Sequence, residues 1–270
     1  KMRAFAKAEI DRRVQEAATV FGLDDVLERR PDALSAEERL RAALARAAVR
    51  QPKVILLDDP LLDFSGSSRA QAQAEITRIH QRLQTTMIYA ASDQSIAMSM
   101  ADSVAIMNNG RVQQRDTPAR LYQQPANSFV AGFLGNPPMN LVRGTLRQQG
   151  ESVIFQEADG GSLRARFPSG VPINLKDSSG GPVILGIRPE EIELSDTQQP
   201  SKTDENFPAL VDLVEPMGLE TLLHLQTGAH TLVSRIRRSL ARGDAGQRRR
   251  FVLRLERVRL FDPETTVAVT

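Results

Sequence analysis

The sequence predicts two architectures in succession: an α/β region, then an all-β barrel region. Three observations carry this. Short all-apolar runs at Val54-Ile55-Leu56-Leu57, Thr86–Ala90 and Val104-Ala105-Ile106-Met107 alternate with stretches of helical periodicity. Past Gly132 the pattern changes to short alternating segments separated by Gly, Pro, Asp and Ser, as in Asp159-Gly160-Gly161 and Ser178-Ser179-Gly180-Gly181. Gly135-Asn136-Pro137-Pro138 lies between the two textures and reads as a linker.

Taken in order, residues 4–18 carry apolar side chains at helical spacing, with Ile10, Val14 and Ala17 predicted on one face. A second helix is predicted over 36–49, where Ser35 followed by Glu38 forms a capping box. The run at 54–57 ends in Asp58-Asp59-Pro60 and reads as a strand buried on both faces, suited to a parallel sheet. A helix over 68–83, a buried strand at Thr86–Ala90, a helix over 93–100 and a third strand at 104–107 complete a right-handed α/β unit. Asn108-Asn109-Gly110 closes that third strand with a hairpin-turn signal. In the second region, strands are predicted at 152–156, 183–187, 209–215, 221–226 and 251–255, with a polar, mobile loop over 195–207.

Composition narrows the chemistry. With 41% hydrophobic and 25% charged residues, the 270-residue chain can bury a core without covalent staples. The absence of cysteine excludes disulfides, zinc-thiolate sites and thiol catalysis. No apolar run reaches the ~18–20 residues that span a bilayer, and the first 13 residues are too charged to be a signal peptide. A net charge of +2 gives no global footprint for nucleic acid. His224 and His230 lack a second ligand at metal spacing, and His80 reads as structural. Arg235, Arg237, Arg238, Arg242, Arg248, Arg249 and Arg250 form a basic run that reads first as a solvated face; it holds no aromatic for base stacking before Phe251.

Several stretches, in order, carry a resemblance. They include Ala43-Leu44, Arg46-Ala47, Leu56-Leu57-Asp58, Ile79-His80-Gln81-Arg82-Leu83, Met100-Ala101-Asp102, Thr117-Pro118, Leu121-Tyr122 and Phe129-Val130-Ala131-Gly132-Phe133. In the β region they are Gly186-Ile187-Arg188-Pro189-Glu190 and Leu260-Phe261-Asp262. Over almost its whole length the chain resembles the ATP-binding subunit of carbohydrate ABC importers of the maltose/glycerol-3-phosphate type. The resemblance implies part of an ABC-ATPase (P-loop NTPase) domain over 1–135, with a helical subdomain at about 1–48 and an α/β core at about 49–135. An OB-like TOBE barrel follows over 141–270.

It also implies roles for particular residues. ATP hydrolysis needs a phosphate cradle, a magnesium site, a general base and a γ-phosphate sensor. A Gly-rich phosphate loop is absent from the 270 residues; Lys1-Met2-Arg3 aligns downstream of it, so the chain is expected to be trimmed or to begin too late to include it. By resemblance Asp58 is the magnesium-side aspartate and is intact. Asp59 stands where a glutamate base is expected and is one methylene short, in chemistry sensitive to about 1 Å. Ser92 stands where a histidine should contact the γ-phosphate. The signature loop Leu-Ser-Gly-Gly-Gln reads Leu34-Ser35-Ala36-Glu37-Glu38 here, and the Ser-Asn-Leu-Asp loop reads Leu62-Asp63-Phe64-Ser65. Ala36 removes backbone permissiveness. Glu37 and Glu38 set carboxylates against a polyanion, where like charges 4 Å apart cost ~1 kcal/mol in water and ~4 kcal/mol at an effective dielectric of 20.

The expectation is a nucleotide-binding-type subunit impaired in hydrolysis, with ATP and Mg²⁺ as family cofactors whose binding here is in doubt. It would dimerise with itself or another ATPase subunit and dock on transmembrane permease subunits. That places it at the cytoplasmic face of the membrane, with no direct nucleic-acid partner. Two origins fit: a non-hydrolysing paralogue, or a working ATPase altered or trimmed. Alternative functions are a regulatory or interaction protein acting through the barrel, and a nucleic-acid binder using the arginines between Arg235 and Arg250. The missing strands would leave sheet edges open, which predicts pairing with a partner or with a second copy.

Overall fold

A computed structural model describes residues 5–167, 181–195, 204–238 and 244–269. It divides into two compact units, Lys1–Ala101 and Asp102–Thr270. The change in texture near residue 135 therefore falls inside the second unit.

In the first unit, helix α1 (Lys7–Phe21) stops at Gly22, whose φ of 63° lets its N–H bond the carbonyls of Ala18 and Thr19. The predicted Ile10/Val14 face is exposed; α1 buries Ala18 and Phe21 instead. Helix α2 (Ala36–Ala48) starts at the predicted capping box: Glu38 N–H donates to Ser35 Oγ at 3.2 Å and Ser35 N–H to Glu38 Oε2 at 2.7 Å. Strand β1 (Val54–Asp58) and strand β2 (Thr86–Ala90) form a two-stranded parallel sheet, joined through helix α3 (Gly66–Leu83). Helix α4 (Gln94–Met100) follows β2, capped by Asp93.

The expectation that β1 is buried on both faces fails. Leu57 packs against a core with Leu44, Phe64, Ile76 and Ile79, and Ile55 on the same face is buried. Val54, Leu56 and Ile88, on the opposite face, are 44%, 74% and 57% exposed. Strand side chains alternate, so helices covering one face of a two-stranded sheet leave the other bare.

The third predicted strand, β3 (Val104–Asn108), does not join β1 and β2. It pairs antiparallel with β4 (Arg111–Asp116) in the second unit. Asn109 and Gly110 both have positive φ, 47° and 73°, and form the two-residue turn. That turn brings β4 directly back on β3, and so tight a closure costs little chain entropy. Helices α5 (Pro118–Gln123) and α6 (Ser128–Phe133), too short to leave a periodic signal, follow with Thr117 and Asn127 as caps.

The rest of the second unit is all-β, as expected. One antiparallel sheet contains β5 (Asn140–Gln149), β6 (Ser152–Glu157), β7 (Arg164–Phe167), β8 (Pro182–Ile187) and β14 (Arg259–Phe261), in the order β14-β8-β5-β6-β7. The other contains β9 (Ile192–Leu194), β10 (Asp204–Pro216), β11 (Thr221–Gln226), β12 (Thr231–Ile236) and β13 (Arg248–Arg254), in the order β12-β11-β10-β13-β9. Their inner faces share one core, including Phe155, Leu185, Leu223, Leu225, Phe251 and Leu253.

The loop expected over 195–207 is corrected at its end: 204–207 belong to β10 and pair with β13, with Phe207 buried, so a polar run flanking one buried aromatic forms a strand. Residues 196–203 lie outside the described residues. Asn140 staples the sheets: its amide donates to the carbonyls of Ile187 and Val233, and its Oδ1 accepts from Val233 N–H at 2.7 Å.

Arg188, only 3% exposed, fastens α5 and α6 to the barrel. Its guanidinium donates to the carbonyls of Ala131 (3.3 Å), Leu134 (2.5 Å) and Tyr122 (2.7 Å), and lies 3.8 Å over the Tyr122 ring. The Tyr122 hydroxyl donates to Glu190 Oε1 at 2.8 Å. Burial, then Glu190, pushes that phenol up to about 12. Replacing Arg188 strands three carbonyls, so Arg188→Ala is expected to lose about 3 kcal/mol in urea unfolding. Arg188→Lys should recover less than half of that loss, because an ammonium cannot fork across three acceptors.

Candidate functional site

Parallel sheets gather functional groups at the carboxyl ends of their strands. Asp58 ends β1 there, opposite Ala90 of β2. It is exposed, and no hydrogen bond or ion pair engages its carboxylate among the described residues. The next residue, Asp59, turns sharply with a φ of 36°, a conformation uncommon outside Gly and most tolerated by Asn and Asp. Its N–H bonds Ala90 O at 2.9 Å, which holds the turn against the end of β2.

Ser92 lies two residues past β2, and its hydroxyl donates to Asp59 Oδ2 at 2.5 Å. Its backbone N–H donates to the same oxygen at 3.3 Å. Asp59 and Ser92, 33 residues apart, thus form one unit: a short carboxylate held by a short hydroxyl. The Ser92 hydroxyl is thereby spent on Asp59.

Asp93 is committed elsewhere. Its Oδ1 accepts from the N–H and hydroxyl of Ser95 at 2.8 and 2.6 Å, and its Oδ2 meets Arg69 at 3.1 Å. Those bonds, the Ser95 hydroxyl first, hold its carboxyl below the usual range. Sequence reasoning did not single out Asp93 as an anchor, although an acidic residue ahead of a helical run is a cap signal.

Ser35, Ala36, Glu37 and Glu38 form the start of α2. Ser35, Ala36 and Glu37 are exposed. Glu38 does not project freely: its carboxylate accepts from Ser35 and lies 3.8 Å from Arg29. The backbone N–H of Ser35 first, then its hydroxyl, holds the Glu38 carboxyl below its usual range. Among the described residues no hydrogen bond or ion pair joins these four to Asp58, Asp59 or Ser92.

Among the described residues no group of three or more His, Cys, Asp and Glu is placed to hold a metal ion. A cation at this strand end would have at most two such side chains as ligands, Asp58 being the one the resemblance implies. That fits Mg²⁺, which takes one or two carboxylates and completes its shell with water and substrate phosphates.

His224 and His230 each pair with a glutamate. His224 pairs with Glu215 across β10 and β11 at 2.5 Å. His230 Nε2 accepts from Arg143 N–H at 3.1 Å, so its Nδ1 carries the proton and donates to Glu157 Oε1 at 2.8 Å. Glu157, buried, also accepts from Leu163 N–H and the Thr227 hydroxyl. The chain closes over that carboxylate at Gly161, where a Cβ would lie 1.9 Å from it.

Ser35→Ala removes a helix cap and is expected to cost about 1 kcal/mol in thermal unfolding. The Glu38 half of the box has its own pH signature. Because the folded-state value is depressed, its contribution is complete above the ordinary 4.5 and disappears as pH falls through the lower value. The difference in melting temperature between Glu38→Ala and the parent should therefore be present at pH 7 and gone in strong acid.

No helix among the described residues is long and apolar enough to cross a membrane. Family profiles match three parts of the chain: ABC transporter at residues 1–62, MalK OB fold domain at 135–192 and TOBE domain at 185–261. Three relatives are similar along nearly the whole chain. One is the uncharacterized ABC transporter ATP-binding protein YurJ of Bacillus subtilis (strain 168), 38% identical over 271 residues, covering 100% of this chain and 72% of that protein. Another is YcjV of Escherichia coli O157:H7, with the same description, 40% identical with the same coverage. The third is the sn-glycerol-3-phosphate import ATP-binding protein UgpC of Shigella sonnei (strain Ss046), 38% identical over 267 residues, covering 98% and 70%.

Proposed function

Because this chain belongs to the ATP-binding subunits of sugar-type ABC importers, we infer that it docks on a transmembrane carbohydrate permease as one of a pair of such subunits, with an ATP site impaired in turnover. In that role it sits at the cytoplasmic face of the membrane, held there through the permease. The region derived from the ATPase runs to about residue 135, and 141–270 form the appended barrel.

The observation that carries the impairment is the Ser92–Asp59 hydrogen bond. Asp58 would hold the magnesium of a bound nucleotide, whose chemistry is to neutralise charge on the phosphates. Asp59 stands where the resemblance puts the base that takes a proton from an attacking water. Its carboxylate is a methylene short of the glutamate the family uses, and one oxygen accepts from both the hydroxyl and the N–H of Ser92. A water must therefore compete with Ser92 for that oxygen or use the other one from a retracted position. Base geometry is demanding at the scale of about 1 Å. Ser92, turned towards Asp59, is drawn away from a γ-phosphate.

The signature position supports the same reading. Where two glycines would let a backbone approach a triphosphate, Ala36 adds a side chain, Glu37 adds an exposed carboxylate, and Ser35 and Glu38 are bound to each other. Titration with a fluorescent ATP analogue, with and without magnesium, tests this. The expected result is binding weaker than about 1 mM that magnesium does not tighten. Micromolar binding that magnesium tightens and Asp58→Ala abolishes would contradict it.

A further inference from the structure

Within the second unit, β9, β12, β13 and the turns flanking them enclose a cleft of about 700 Å³. That is within the size range of small-molecule sites. It lies in the barrel, and the nucleotide chemistry makes no use of it. Its lining is not apolar: five arginines and four glutamates face it.

The charges are poorly matched to one another. Arg254 meets Glu193 at 2.8 Å, but Arg257 is 3.4 Å from Glu191, and Arg235 is 3.8 Å from Glu220. Arg235 Nε is buried and makes no hydrogen bond, although the same guanidinium donates to the Asn136 carbonyl. Arg237 has no partner among the described residues. Each guanidinium offers five donors in a planar fork, so Arg237 and Arg257 keep most of theirs unspent.

Glu191 is the opposite case. It is 4% exposed, and Arg257, on the solvent side, is its one ion-pair partner among the described residues. Burial holds its carboxyl above the usual range. A buried carboxyl with spare lone pairs, facing a cavity, needs hydroxyl or N–H donors there.

The two halves of the lining ask for different chemistry in one ligand. Unspent arginine forks suit a phosphate, which they can grip bidentately. Four carboxylates would repel a bare polyanion but accept hydrogen bonds from hydroxyls. A molecule with one phosphate and several hydroxyls satisfies both; an inorganic anion or a neutral sugar satisfies one. We propose that this cleft is a binding site for a small phosphorylated polyol or sugar, gripped by Arg237 and Arg257 at the phosphate and by Glu191 and Glu220 at the hydroxyls. This site does not depend on the importer reading, since it is built wholly from barrel residues.

Isothermal titration of the full chain with glucose 6-phosphate and with sn-glycerol 3-phosphate tests it, with inorganic phosphate and glucose as partial ligands. At least one organic phosphate should bind one-to-one, about tenfold or more tighter than inorganic phosphate or glucose. Arg237→Gln and Arg257→Gln should each weaken that binding about tenfold without lowering the melting temperature. If Arg257→Gln disturbs the fold by exposing Glu191, Arg237→Gln still decides, because Arg237 is exposed and unpartnered. Three results would overturn the proposal: neither organic phosphate binds, inorganic phosphate binds as tightly as they do, or Arg237→Gln binds like the parent. A chain that fails to bind ATP analogues but binds a sugar phosphate would leave this site standing. The reverse would remove it and leave the nucleotide reading untouched.

Discussion

The buried guanidinium of Arg188 sets the organisation of the larger unit. It leaves β8 and reaches three backbone carbonyls at the ends of α5 and α6, which would otherwise be buried without donors. Helices of six residues cannot hold themselves together in water. Here each depends on a side-chain cap at its start and on Arg188 at its end. The cost of burying the charge is offset by three carbonyls and the Tyr122 face, and Glu190 adds a carboxylate through Tyr122. Together with the backbone bonds of Ser128 to Thr266 and of Ala268 to Ala126, Arg188 ties residues 122–134 to the barrel.

A similar economy governs the carboxyl end of β1. Asp58 and Asp59 are neighbours in sequence with opposite fates. Asp58 keeps an unengaged carboxylate at the strand end. Asp59 turns through a positive φ and is tied to the loop after β2 by backbone and side chain. Two short side chains reach each other there.

Local features were legible in the sequence. The capping box at Ser35 and Glu38 and the turn at Asn109-Gly110 rest on interactions between residues within a few positions of one another. What depended on partners far along the chain was not. An apolar run reads the same whether one face or two are covered, so the bare side of β1, with Leu56 and Val54, was misjudged. Ile10 and Val14 have helical spacing, yet only the last turn of α1 meets the core. Strand β3 was assigned to a parallel sheet because its apolar run matched, although the turn beside it already favoured an antiparallel partner. The candidate site was legible as a set of positions but not as a geometry. No periodicity links Ser92 to Asp59, and the cleft arginines and glutamates come together only when β9, β12 and β13 are assembled.

In the proposed role Asp59 is the base, and the hydrogen bond it accepts from Ser92 works against turnover. The most direct measurement is phosphate release by the chain reconstituted in vesicles with the permease subunits it co-purifies with, using Asp58→Ala as the blank. The account predicts release no faster than the blank, with and without transported substrate. Substrate-stimulated release that Asp58→Ala abolishes would contradict it.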